Sequence, residues 1–467
     1  MFIAREWELS QLNNLWNQDK FQLFILYGRR RVGKTALLKE FCKDKPAIFF
    51  SAGQSNEHIN LDKFSQIIYQ YYNEENAGAF TSMEKALSYI NYRQQDEQLV
   101  VVLDEFPYLA ANNKALLSDL QHLIDFQLSS GKLFLVLCGS YMGFMEKEVL
   151  GAESPLFGRR TAQFKLKTMD YLDSSKFLTK FSHEDQLKLY GVLGGTPMYL
   201  NMIDFDRSAD DNIQELFLNP MGYLYDEANM LLRQEVKELA TYSSIIEAIA
   251  SGASRANEIA TKTGEEAAKC LKYIKQLEAL GLVQRETPLG DKPSSRKTVY
   301  RLCDLMFVFW YRYVARYHSQ LENGAGMGIW TKRIAPDMNN LMGHSFERIC
   351  HEYVIRKNNR GELPFFVEEI GHWWGSNPHS KEHEQVELDL VARSAREYIL
   401  GECKWRNELL DAGVVKSLQA KADVMAENRG ETWFMLFSKS GFTAAAKAMA
   451  EQEEHIILIS LEELFTV

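Results

Sequence analysis

The chain lacks a long apolar run, a CxxC cysteine pair and any excess of positive charge. Each absence excludes a class of protein. No stretch approaches the ~20 apolar residues of a membrane-spanning helix. The opening MFIAREWELSQL has no signal-peptide hydrophobic core, so a cytoplasmic protein with no membrane contact is expected. The six cysteines, Cys42, Cys138, Cys270, Cys303, Cys350 and Cys403, stand mostly among apolar residues. That pattern points to free buried thiols and a reducing compartment. A formal net charge of -10 argues against a surface coated with nucleic acid. It leaves room for a local basic patch, because phosphate contacts are local.

What is present suffices for several globular domains. The 467 residues correspond to about three domains of ordinary size. Apolar residues, at 46%, can fill their cores, and no low-complexity run interrupts the chain.

LFILYGRRRVGKTALLKEF, Leu23 to Phe41, runs from an apolar segment through a turn into a helical pattern. The turn reads Gly28-x-x-x-x-Gly33-Lys34-Thr35, a phosphate loop in its strand–loop–helix setting. The glycines let backbone close around phosphates, and amides at the helix start face the negative charge. Lys34 is expected to reach the terminal phosphates and Thr35 to ligate Mg2+. LVVVLDEF, Leu99 to Phe106, is a near-continuous apolar run ending in two acids. Such a run suits a buried parallel strand, whose carboxyl end meets the nucleotide. Asp104 is the expected magnesium-side carboxylate, and Glu105 the group that polarises the attacking water. Further strands are predicted at 47–52, 133–140 and 161–169. Residues 1–170 therefore read as a phosphate-loop α/β ATPase core using ATP and Mg2+.

Residues 171–234 have a helical pattern broken at GVLGGTP and read as a helical lid. A helix follows in QEVKELATYSSIIEAIASG, and a second in SRANEIATKTG, with Ser254 as N-cap and Gly264 as stop. A third, EEAAKCLKYIKQLEALG, places Leu271, Ile274, Leu277 and Leu280 on one stripe. LVQRETPLGDKPSSRKTVYRL then predicts two strands joined by a wing. Residues 235–305 thus read as a winged helix-turn-helix. Lys262 to Arg301 holds nine basic and five acidic residues, an island in an acidic chain. Arg285, Lys292, Arg296 and Lys297 can touch duplex phosphates, which position DNA without specifying its sequence. A protein-contact role for the same module stays open. Residues 306–340, with the aromatic DLMFVFWYRYV, read as a helical, packing segment.

Residues 341–467 form the last predicted domain. FERICHEYVIRK is helical, with Phe346, Ile349, Cys350, Tyr353 and Val354 on its apolar face and Glu347 off it, one turn from His351. Residues 365–375 read as a strand. VELDLVA alternates, with Val386, Leu388 and Leu390 on one face and Glu387, Asp389 and Val391 on the other. YILGECKW returns with Glu402 and Lys404 on one face and Cys403 opposite. Antiparallel pairing brings Asp389 beside Glu402. Cutting a phosphodiester needs a hard cation held by oxygen ligands, which polarises phosphate and activates water. Asp389 and Glu402 supply carboxylates, Lys404 supplies positive charge, and Glu347 completes the cation's shell from the helix. His372, His379 and His383 offer a rival zinc reading, although their spacing matches no tight zinc motif.

Residues 1–230 resemble the archaeal-type ATPases of the AAA+/STAND superfamily. The resemblance places Phe2, Arg5, Glu6 and Leu9 in an opening motif near the adenine. It makes Ser140, at the end of LFLVLCGS, the polar sensor of the γ-phosphate. SPLFGRR, Ser154 to Arg160, matches an arginine-bearing turn, so Arg159 or Arg160 is expected as an arginine finger, in trans if subunits pack side by side in a homo-oligomer, with a solvent or salt-bridge role for one or both left open. Gly194, Gly195 and Pro197 match the lid's glycine-glycine-x-proline element. Asp389, Glu402, Lys404 and Glu347 resemble the PD-(D/E)xK nucleases, with Leu388 where proline often stands, in a DUF234-like tail. The implied architecture is α/β: a phosphate-loop AAA+-like ATPase with helical lid, winged helix-turn-helix and C-terminal restriction-endonuclease-like domain. Two functions follow. One is an ATPase coupled to a DNA-binding winged helix and a DNA-cutting tail. The other is an ATP-controlled regulator or scaffold that binds DNA or a protein partner and carries an inactive tail.

Overall fold

The computed structural model describes residues 2–75, 78–94, 97–377, 380, 384–425 and 430–466. It divides into two units, Met1–Thr168 with Thr196–Met198, and Met169–Gly195 with Tyr199–Val467.

The first unit is built on five parallel strands: β1 (Gln22–Tyr27), β2 (Ala47–Ser51), β3 (Leu99–Asp104), β4 (Leu133–Gly139) and β5 (Ala162–Lys165). Their order is β2-β3-β4-β1-β5. β1, β3 and β4 are buried along their whole length, because core clusters cover both faces. Leu23, Ile25, Val101, Leu103, Leu135 and Leu137 enter one cluster. Phe24, Leu26, Val100, Val102, Phe134 and Val136 enter the other. This two-sided burial is what a continuous apolar run encodes in a parallel sheet. Phe134 is fully buried, with the Phe41 ring centroid 5.4 Å away. Deleting such a ring from a core generally costs about 3–5 kcal/mol. The core matters to function because β1, β3 and β4 are neighbours. Their carboxyl ends bring the loop after Tyr27, Asp104 and Ser140 to one edge.

In the second unit, helices Tyr171–Ser175 and His183–Leu193 are tied to the long helix Met338–Asn359. Arg356 holds Asp170 at 2.5 Å and Asp173 at 3.0 Å. The Tyr190 hydroxyl donates to Glu352 at 2.8 Å. Three helices, Leu239–Ala250, Ala256–Thr263 and Ala267–Ala279, precede an antiparallel hairpin of β6 (Val283–Glu286) and β7 (Val299–Leu302). The second of these helices starts one residue later than expected, with Arg255 rather than Ser254 at the N-cap. The reason is the Glu258 carboxylate, which accepts the N–H groups of both Ser254 and Arg255. Those two bonds hold its pKa below the usual carboxylate value. Gly264 ends the helix in the left-handed region, at φ 71°.

A second sheet follows: β8 (Glu369–Ser376), β9 (Gln385–Arg393), β10 (Tyr398–Lys404), β11 (Thr432–Ser438) and β12 (Ile456–Ser460). The order is β12-β11-β10-β9-β8. β8, β9 and β10 pair antiparallel, and β10, β11 and β12 parallel. Phe346, Ile349, Cys350, Tyr353 and Val354 of helix Met338–Asn359 are buried, and Cys403 is buried too. The alternation expected for β9 does not hold. Leu388 and Val391, three residues apart, enter the same core cluster. Between two paired positions β8 advances from Gly371 to Trp373 while β9 runs from Val391 to Leu388. The extra residue is a β-bulge on β9, at Asp389 and Leu390. Bulges re-aim side chains and are common beside active sites.

Candidate functional site

The loop after β1 is shaped by its glycines. Gly28 has φ 156°, and a Cβ there would lie 2.3 Å from the Leu166 carbonyl oxygen, so any side chain would force β5's exit away. Gly33 has φ 95° and opens helix Lys34–Cys42. The Lys34 ammonium donates to the carbonyls of Gly28 at 2.9 Å and Arg29 at 2.8 Å. Burial pulls its pKa below the ordinary lysine value, partly offset by the nearby Cys138, Glu105 and Asp104. Lys34 therefore stands inside the loop's curve, braced on its carbonyls. The Thr35 hydroxyl donates to Asp104 Oδ2 at 2.8 Å across the sheet edge. A hydroxyl and a carboxylate joined this way are the hard oxygen donors that Mg2+ prefers.

Glu105 follows in the left-handed region, φ 53°, at the start of helix Phe106–Asn112. The Ser140 hydroxyl, on the end of β4, donates to its carboxylate at 2.8 Å. So Lys34, Thr35, Asp104, Glu105 and Ser140 converge, and the residues present fit a nucleotide with Mg2+. Arg5, also at positive φ, donates to Glu8, Val32 O and Lys167 O, and so fastens the chain start to this edge. Phe2 and Leu9 pack against the sheet's core. Pro197 lies next to the loop, its Cγ 3.7 Å from a Cβ built on Gly33. Gly195, in the second unit, gives its carbonyl to the Met169 N–H at 2.7 Å. A Cβ there would fall 1.8 Å from the Met169 carbonyl oxygen.

The two arginines of the turn differ. Arg159 is engaged by Asp125 in a two-bond fork at 2.8 and 2.7 Å and by the carbonyls of Pro155 and Phe157. Arg160 lies over the Phe157 ring at 5.7 Å, and its Nη1 is buried without a hydrogen-bond partner among the described residues.

The tail gathers a different set. Asp389 sits at the bulge and reaches β10, where its Oδ2 accepts the Cys403 N–H at 2.9 Å and the Lys404 ammonium at 3.3 Å. Lys404 also contacts Glu402. Burial opposes the Lys404 charge, but Asp389 and Glu402 hold its pKa above the ordinary lysine value. Burial, then the charge of Glu402, raises the pKa of Asp389. A residue absent from the sequence reading completes the group. Lys421, on helix Ala412–Val424, donates to both oxygens of Glu402 at 2.9 and 2.7 Å.

Glu347 stands near enough to Asp389 and Lys404 to feel both charges, and its ion-pair neighbours are histidines. Its Oε2 lies 3.8 Å from His372 Nε2 and 3.8 Å from His344 Nδ1. Its carboxyl is pushed up to about 8, by burial first and then by the Asp389 charge. Among the described residues no three His, Cys, Asp or Glu side chains are grouped to hold a metal. Of the histidines weighed for zinc, His372 packs on His351 with the rings tilted by 31° and their centroids 4.5 Å apart. His379 and His383 lie outside the described residues. The same limit applies to the membrane: no helix among the described residues is long and apolar enough to cross one.

Residues 2–203 match a family of ATPase domains predominantly from Archaea, and residues 310–421 match DUF234, a family of archaeal and bacterial proteins of unknown function. An uncharacterized protein of Methanocaldococcus jannaschii is 28% identical over 470 residues, spanning 99% of this chain and 100% of its own. An uncharacterized ATP-binding protein of the same organism is 56% identical over 45 residues, 10% of this chain and 76% of that one. A Walker-type ATPase of Pyrococcus abyssi shares the fold at a TM-score of 0.51 and 19% identity, over 67% of this chain and 96% of that one.

Proposed function

We propose, for a chain that belongs to the archaeal-type ATPases and carries a DUF234 domain behind them, that it couples ATP hydrolysis to a DNA-binding winged helix and a metal-dependent, DNA-cutting tail. The observation that carries the first half is the hydrogen-bonded chain from Thr35 through Asp104 and Glu105 to Ser140, beside a Lys34 held on the Gly28 carbonyl. Lys34 is placed to trade the Gly28 and Arg29 carbonyls for β- and γ-phosphate oxygens. Thr35 and Asp104 are the residues that would hold Mg2+, which supplies charge neutralisation on the phosphates when bound. Glu105 orients the attacking water, and Ser140 sets the direction of the Glu105 carboxylate.

On the DNA side, helix Ala267–Ala279 exposes Lys272, Lys275 and Gln276, and Lys292, Arg296 and Lys297 are exposed on the hairpin loop. These suit phosphate contacts. In the tail, Asp389 and Glu402 would hold a divalent cation, which supplies Lewis-acid help to phosphodiester cleavage when bound. Lys404 then faces phosphate and leaving group. Full-chain cutting of duplex DNA with Mg2+ tests this; equal cutting by Asp389→Ala/Glu402→Ala would reject it.

A second reading is favoured by one observation. Lys404 and Lys421 together neutralise Asp389 and Glu402, so the group balances its own charge. This supports a tail that binds DNA or protein without cutting. The readings separate on Lys421→Ala. A cation site held closed by Lys421 predicts that this variant binds Mn2+ about tenfold more tightly by titration calorimetry, and that Asp389→Asn removes the gain. Unchanged Mn2+ binding favours the non-cutting tail.

The turn at SPLFGRR supports a trans role for Arg160 and a structural one for Arg159. Arg160→Ala is expected to lower ATP turnover about tenfold and to abolish any rise of turnover with protein concentration. Arg159→Ala should keep turnover and lower the melting temperature slightly. The reverse pattern in a steady-state ATPase assay would assign the role to Arg159.

A further inference from the structure

We propose that the loop between β6 and β7 is an internal clasp on the tail sheet, with Leu289 as a positioning residue for the Asp389 site. The proposal rests on the reading of the tail as the cutting site. β8 is the free edge of its sheet, and an uncovered edge offers unpaired backbone groups to any passing strand. The hairpin loop meets that edge. The Leu289 N–H donates to the His372 carbonyl at 2.8 Å. The Leu289 side chain packs against the core cluster of the tail. Gly371 lies directly beneath Leu289: a Cβ there would stand 3.4 Å from Leu289 Cδ1, at ordinary van der Waals contact.

Charged groups continue the seam. Arg301, on β7, reaches Glu286 at 3.2 Å and Glu387 of β9 at 3.3 Å. His372 Nδ1 lies 3.6 Å from Glu286. The location on the strand is what gives the contact a function. His372 is the residue of β8 opposite the bulge on β9, and Gly371 pairs with Val391 at its margin. That bulge carries Asp389, and Cys403 and Lys404 hold Asp389 from the other side. The clasp therefore presses on β8 where the sheet departs from regular pairing. Its loss would let β9 slip toward regular register, and a one-residue slip moves a side chain to the opposite face. The hairpin's neighbours in the chain are the exposed lysines and arginines read as phosphate contacts. A duplex held there is held on the element that steadies the cutting residues.

Two variants test the clasp in the full chain. In Leu289→Cys/Gly371→Cys, a Cβ on Gly371 stands 3.9 Å from that of Leu289, inside the range of disulfides. Oxidation is expected to cross-link the pair, seen as a new disulfide-linked peptide by mass spectrometry. Failure to cross-link overturns the proposal even where other variants fold poorly. In Leu289→Asp, amide exchange over 369–376 and 385–393 is expected to speed about tenfold or more, with β11 and β12 unchanged and ATP turnover intact. Leu289→Met should restore the slow exchange. Exchange unaltered in Leu289→Asp overturns the clasp. For the positioning role, Leu289→Asp should lower kcat for cutting about tenfold while leaving KM for the duplex alone. A rise in KM alone overturns that role and makes the loop a binding element. If the wild type cuts nothing, the tail reading fails while cross-linking and exchange still decide the clasp.

Discussion

Glu105→Gln is expected to bind ATP as tightly as the wild type and to turn it over about 10²-fold to 10⁴-fold more slowly, the range for removing a positioned proton acceptor. The expectation follows from how Glu105 is held. A non-glycine residue at φ 53° is strained by about 1–3 kcal/mol and persists only where its surroundings insist on it. Here the carboxyl end of β3, the start of helix Phe106–Asn112 and the Ser140 hydroxyl do so. The amide of glutamine fills the same space and can still bond to Ser140, so folding and ATP binding should survive. Lys34→Ala should show the complementary defect, a loss of binding, because it removes the ammonium inside the loop. A fluorescent-nucleotide titration beside a phosphate-release assay reads both. Normal turnover in the glutamine variant would remove Glu105 from the chemistry.

Asp389→Ala/Glu402→Ala is expected to reduce Mg2+-dependent cutting by at least ~10²-fold, on the scale of losing preorganised charge at a reacting phosphate. The double alanine variant leaves the half-buried Lys404 and Lys421 without counter-charges, which costs stability. Asp389→Asn is therefore the fairer partner, since it keeps shape and the Cys403 hydrogen bond. A time course on labelled duplex DNA, with thermal melting as the folding control, separates lost chemistry from lost fold. Undiminished cutting by folded Asp389→Asn would place the chemistry elsewhere.

Much of the first unit is legible in its sequence. A buried parallel strand must be apolar on both faces, so β1, β3 and β4 announce themselves as unbroken runs. The acids that end β3 then have one place to go. The tail is harder to read. Glu402 and Lys404 follow from strand alternation with Cys403 opposite, although both Glu402 and Cys403 are buried. Asp389 follows from the pairing of the two strands, but Val391 joins the face of Leu388 through a bulge, and no period-two pattern encodes an inserted residue. Lys421 escaped because it sits on a helix nineteen positions from Glu402, where a lysine reads as ordinary solvated surface. Glu347 is legible as a helix position with His344 one turn before it, but its nearness to His372 depends on how β8 packs. The hairpin's basic residues were visible as charge, while the role of Leu289 against Gly371 depends on a contact 82 residues away, beyond any local pattern.

The most direct test of the central claim is a crystal of the full chain grown with Mn2+ and a non-hydrolysable ATP analogue, read by anomalous scattering. The account predicts one manganese at Thr35 and Asp104 beside the phosphates, and a second between Asp389 and Glu402 with Lys421 turned away. Manganese at the phosphates alone, with Lys404 and Lys421 still resting on Glu402, would contradict a metal-dependent tail.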